Sequence, residues 1–147
     1  LHRVDRRQRQ MCIRDRYFYR PNEASSTAGF KNSYIDDTER VAKRLLEYGG
    51  RWGMGDEAMD GALRLYVSLS KMLADTAPAL GKEVSRCELA QVRASLSELS
   101  PDVTREVGHM RADQRGILGS VLAGSLPRLL FVTEASHLGR RILGRSI

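Results

Sequence analysis

Residues 114–133, QRGILGSVLAGSLPRLLFVT, form the most apolar run in the chain, and their reading decides the fold. Ile117 with Val121 and Leu118 with Leu122 make two apolar rows at helical spacing. Gly116, Ser120 and Gly124 recur at every fourth position, an interval at which small side chains let a neighbouring backbone approach closely. A membrane-spanning helix needs about 20 apolar residues with few interruptions, and Pro127 and Arg128 interrupt this one. The run is therefore predicted to be a close-packed core helix that breaks. The segment after the break, residues 129–132, is open to two readings, one further helical turn or a short buried strand, because periodicity does not assign so short a run.

Working outward, the flanking segments show helical periods and helix-end signals. Asp36 and Glu39 have the spacing of a capping box, and Val41, Leu45 and Tyr48, with Ala42 and Leu46 beside them, mark the expected buried face. Gly49-Gly50 is read as the end of that helix, since glycine adopts the left-handed C-cap conformation without strain. Asp56 is expected to cap the next helix, which runs to about Thr76 before Pro78 blocks it. Its apolar stripe of Met59, Ala62, Leu63, Tyr66, Leu69 and Leu73 is widened by Leu65, Val67 and Met72, the breadth of a central helix. Ser85 and Glu88 repeat the capping-box spacing ahead of Leu89, Val92, Leu96 and Leu99. Cys87, in that first turn, reads as a structural thiol. Ser100-Pro101-Asp102 opens another helix with Val103, Val107 and Met110 inward. Ala135, Leu138 and Ile142 mark the expected inner face of the last. The fold class is all-α: a compact bundle of five or six short helices in one domain, residues 35–147, preceded by an extended linker, residues 17–34.

The totals fit one domain, at 147 residues with 41% hydrophobic and 29% charged content. The net charge of +6 is unevenly placed. Seven arginines against two aspartates in residues 1–20 give that segment +5 and leave +1 for the other 127 residues. Residues 1–16, LHRVDRRQRQMCIRDR, resemble the conceptual translation of a sequencing adapter found at the ends of proteins predicted from assembled metagenomic reads, most specifically in MCIRDR, residues 11–16. The resemblance implies a non-native segment to be set aside in fold reasoning, and a chain that is a fragment of a longer reading frame. Without that segment the basic balance no longer argues for a nucleic-acid partner. Cys87 is then the only thiol, which excludes an internal disulfide and fits a reducing, cytoplasmic setting.

Several constellations invite chemistry. Two Glu-x-x-His pairs, Glu106 with His109 and Glu134 with His137, resemble the ferritin-like di-iron carboxylate bundles, which implies a di-metal helical enzyme. Against this, the expected inner faces turn His109 sideways and Glu134 and His137 to solvent, and residues 114–132 contain no glutamate. Residues 129–134, LLFVTE, are similar to an NTPase Walker B strand, with Thr133 where the magnesium-binding aspartate belongs. No G-x-x-x-x-G-K-[ST] loop accompanies it. Residues 103–117 have the length of a helix-turn-helix, but Gln114 falls where the recognition helix should be apolar. The loop at residues 49–55, GGRWGMG, carries the only tryptophan. Trp52 is expected to fold back over two helix ends, as mostly buried tryptophans do; the alternative is an exposed aromatic offered with Arg51 to a ligand.

No catalytic residue and no cofactor is assigned. The leading expectation is a non-enzymatic helical interaction or assembly module of a larger protein, using the apolar Gly-rich helix or the basic C-terminal end against a protein partner. The alternative is a nucleic-acid-binding domain using Arg128, Arg140, Arg141 and Arg145.

Overall fold

The computed structural model describes residues 30–31, 33–100 and 103–143, with only the backbone described at residues 104 and 140–143. The described residues are almost entirely helical: α1 (Ser33–Trp52), α2 (Gly55–Leu80), α3 (Lys82–Leu99), a single turn α4 (Val103–Glu106) continued as a 3-10 turn (Val107–His109), α5 (Ala112–Leu122) and α6 (Leu126–Leu143). Residues 129–132 lie inside α6, so among the described residues no strand is present. Leu129 is fully buried while Phe131 is exposed, the three-to-four-residue alternation of a helix and not the two-residue alternation of a strand.

The 26 residues of α2 form the spine. Their apolar positions run round more than half of the helix, and α1, α3, α5 and α6 all pack on it, so the central helix expected from the sequence is present. Leu63, Tyr66, Leu73, Leu89, Leu96, Ile117, Leu118 and Leu129 are the large, fully enclosed side chains. Burying an aliphatic side chain of this kind contributes about 1.5–3 kcal/mol.

Several predicted helix ends move. The first helix begins at Ser33, ahead of the Asp36 cap, and Glu39 bonds to Lys43 and Ser95 instead of reaching back. Phe30 is buried in the core and meets Tyr34 edge-on at 6.3 Å, so the body extends into the expected linker; residues 1–29 lie outside the described ones. Gly49-Gly50 does not stop α1. The stop is Gly53, at φ +69°, with the Met54 N–H donating to the Gly49 carbonyl at 2.8 Å, the six-to-one bond of a Schellman motif. Gly49 serves a different purpose: a Cβ there would lie 2.3 Å from Ala58 Cβ, so its bare Cα is what lets α1 and α2 touch.

Pro78 is tolerated in the last turn of α2, which continues to Leu80 and ends at Gly81, φ +86°. Gly81 also starts α3, so Ser85 is no cap: its hydroxyl donates back to the Gly81 carbonyl at 2.8 Å. Cys87 is exposed and free, not a packed structural thiol. Of the proposed Ser100-Pro101-Asp102 cap, residues 101–102 lie outside the described residues. Downstream, Gly124 (φ +63°) closes α5 by the same motif as Gly53, with Ser125 N–H on the Ser120 carbonyl at 3.1 Å. Of the two glycines in the series at every fourth position, Gly116 lies close to α6, 3.0 Å from its would-be Cβ to Val132 Cγ1, and Gly124 lies close to a side chain of α3, 3.2 Å from its would-be Cβ to Arg93 Nη1.

Candidate functional site

Of the face expected to point inward on α1, Ala42 is fully buried and Leu46 packs against the core, but Val41, Leu45 and Tyr48 point outward, and on α6 Ala135 and Leu138 point outward as well. Ile35, Ala42 and Gly49 are the buried positions of α1, seven residues apart and mostly small, because α2 lies close against them. Val41, Leu45, Tyr48 and Trp52 are displaced from that line by roughly a quarter turn, at 100° per residue, and all four are exposed. The expected cover over Trp52 does not form: its side chain is 78% exposed. Since the Gly53 turn leads straight into α2, no chain is left to fold the indole back. On α6, Leu126, Leu129 and Thr133 are the buried line, while Leu138 is exposed, as is Ala135; Ile142 lies where only the backbone is described.

The resulting stripe on α1 has a spacing of 4, 3 and 4 residues, that of the a and d positions of a coiled-coil seam. Leu45 sits at its edge against α2, its Cδ1 3.9 Å from a would-be Cβ on Gly61. Arg51 places its guanidinium 5.9 Å from the Tyr48 ring centroid and pairs with Glu47, so the exposed aromatic and Arg51 of the alternative reading belong to one surface. With Met54, also exposed, in the turn that follows, the stripe continues past the helix end.

A polar chain holds α1 in this rotation. The Tyr66 hydroxyl on α2 donates to Ser95 Oγ on α3 at 2.6 Å, and Ser95 Oγ donates to Glu39 Oε2 on α1 at 2.9 Å. Lys43 closes the chain on the other carboxylate oxygen. The bond from Lys43, then that from Ser95, holds the Glu39 carboxyl below its ordinary range, and the Glu39 carboxylate raises Lys43 in turn. Burial pushes the Tyr66 phenol up. Three helices are tied through one serine, which fixes which side of α1 faces out.

The other candidates are not brought together. Glu106 and His109 line an open cleft of about 670 Å³ with Asp56, Glu57, Asp60 and Arg105, at the N-terminal end of α2. Glu134 is exposed, and His137 Nε2 lies 3.8 Å from Asp75 Oδ1, near the other end of α2. At 1.5 Å per residue, Asp60 and Asp75 are about 22 Å apart along the axis, so the two Glu-x-x-His pairs do not converge on one metal pair. Among the described residues no group of three or more His, Cys, Asp or Glu is arranged to hold a metal ion.

Arg128 is exposed in the first turn of α6, about 18 Å along the helix from Arg140 and Arg141; Arg145 lies outside the described residues. In the helix-turn-helix candidate, the face of α5 that carries Gln114 is turned into the body. Gln114 is enclosed, its Oε1 accepting from the Arg111 N–H at 3.3 Å, and α5 packs on α2, α3 and α6. The apolar rows of the Gly-rich helix, Ile117 with Val121 and Leu118, are thus core. Among the described residues, no helix is long and apolar enough to cross a membrane. Comparison of the chain with known protein families, with curated proteins and with solved structures finds no match.

Proposed function

We propose that this domain is a helical interaction module whose docking surface is the outer face of α1, and that its occupant is an amphipathic helix. The observation that carries the reading is the exposed stripe of Val41, Leu45, Tyr48 and Trp52 at coiled-coil spacing. Tyrosine and tryptophan supply large contact area at low entropic cost and are the residues most enriched among binding hot spots. A helix laid along the stripe would present its own anchors at the same 3- and 4-residue intervals. The polar chain through Ser95 supports the reading, because a seam is useful only if its helix does not rotate to bury it.

Selection from a displayed library of amphipathic helical peptides tests this. Peptides with apolar residues at i, i+3, i+4 and i+7 are expected to enrich, and to lose at least tenfold in affinity for the Trp52→Ala chain. Enrichment of no such peptide, or binding indifferent to Trp52→Ala and Leu45→Asp, contradicts the proposal.

A further inference from the structure

The stripe is symmetric about its own midpoint. Steps of 4, 3 and 4 residues read the same in both directions, so a two-fold axis between residues 46 and 47 exchanges position 41 with 52 and position 45 with 48. We infer that the helix docking on α1 is α1 of a second copy of this chain, running antiparallel; the inference rests on the reading of this face as a helix-docking seam. In that register each Val41 lies opposite the second copy's Trp52, and each Leu45 opposite its Tyr48. Every layer then joins one aliphatic and one aromatic side chain, the size alternation that fills a seam without voids. A parallel pair would set Trp52 on Trp52 and Val41 on Val41, overfilling one layer and leaving a gap in another.

The available area agrees. Val41, Leu45, Tyr48, Trp52 and Met54 are 48, 36, 56, 78 and 51% exposed. Together they form an exposed, largely apolar patch on the order of several hundred Å², the size range of the largest patches on a monomer, which are often functional. Each partner contributes ~800 Å² to a standard interface, and the flanking stems of the exposed Arg44 and Arg51 lie beside the patch to extend it. An isologous pair uses the same patch twice, so a single stripe is sufficient.

Sedimentation velocity on the full chain over a concentration series, with the emission of its single tryptophan recorded in parallel, tests the inference. The expected result is a concentration-dependent dimer whose Trp52 emission moves to shorter wavelength as it forms. Leu45→Asp is expected to weaken dimerisation by at least ~30-fold, the effect of losing a buried anchor. Trp52→Ala should act in the same direction, and because that side chain is mostly in solvent in the single chain, it leaves the fold intact. For the register, Leu45→Cys and Tyr48→Cys chains are made with Cys12 and Cys87 replaced by serine. Oxidative cross-linking is expected only when the two are mixed.

A chain that stays monomeric to about 1 mM, a dimer indifferent to both substitutions, or cross-linking of Leu45→Cys with itself overturns the inference. A monomer that still binds helical peptides through Trp52 sinks the second-copy occupant alone. A monomer that binds none sinks the docking surface as well.

Discussion

Gly49→Ala isolates the contact that sets α1 against α2. In an open helical position, replacing glycine by alanine stabilises by about 1 kcal/mol through helix propensity. Gly50 is such a position, with nothing within 4 Å of its would-be Cβ. At Gly49 the same methyl would stand 2.3 Å from Ala58 Cβ and 2.8 Å from the Met54 carbonyl oxygen. Neither obstacle is the end of a flexible side chain, so the helices must separate. Overpacking of this kind costs about 1–3 kcal/mol, and separation also stretches the Met54-to-Gly49 hydrogen bond, another ~1 kcal/mol. Less the propensity gain, the net expectation is a loss of roughly 1–3 kcal/mol for Gly49→Ala against a gain of about 1 for Gly50→Ala. Urea denaturation followed by far-ultraviolet circular dichroism reads both. In a chain of this size each kcal/mol corresponds to about 3–4 °C in Tm. Equal stability of the two variants, or a more stable Gly49→Ala, would refute the close approach and with it the rotation of α1.

Two further expectations follow from single groups. Thr133 Oγ1 is buried without a hydrogen-bond partner, so Thr133→Val, which keeps the shape, is expected to raise stability by about 1 kcal/mol; thermal unfolding that shows a loss would mean the hydroxyl is bonded. Glu39 titrates below the ordinary carboxylate value of 4.5 in the folded chain, so the unfolded chain binds more protons in that window. The stability this carboxylate contributes is complete above 4.5 and is lost as pH falls through the lowered value. Glu39→Gln should therefore be less stable than the parent at neutral pH, with the difference shrinking at acid pH in a denaturant series. A difference independent of pH removes the ionic part of the Tyr66–Ser95–Glu39–Lys43 chain.

Helix count, the central position of α2 and the burial of residues 117, 118 and 121 were legible because broad apolar periodicity leaves few alternatives. The rotation of α1 was not. Val41, Leu45 and Tyr48 are larger than Ala42 and Gly49, and apolar periodicity alone turns them inward. What decides is size: the small line Ala42 and Gly49 permits contact between backbones, and that contact turns the large side chains out. Trp52, four residues after Tyr48, was in phase with the stripe, but the glycine pair before it hid the continuity by imitating a helix end. On α6 the inner face differs from the expected one as well, although its buried line is not made of small residues. Leu126, Leu129 and Thr133 are buried, while Leu138 faces out. The di-metal constellation failed for a reason that spacing cannot reveal, since its two halves lie at opposite ends of one long helix.

Acrylamide quenching of the single tryptophan, in the parent chain at high concentration and in the Leu45→Asp chain, is the most direct check on the outer face of α1. Free quenching in Leu45→Asp and strong shielding in the parent are expected, since Trp52 is open in one copy and covered in a pair. Shielding in both would mean that the single chain already covers Trp52, and equal, free quenching in both at every concentration would mean that no second copy does.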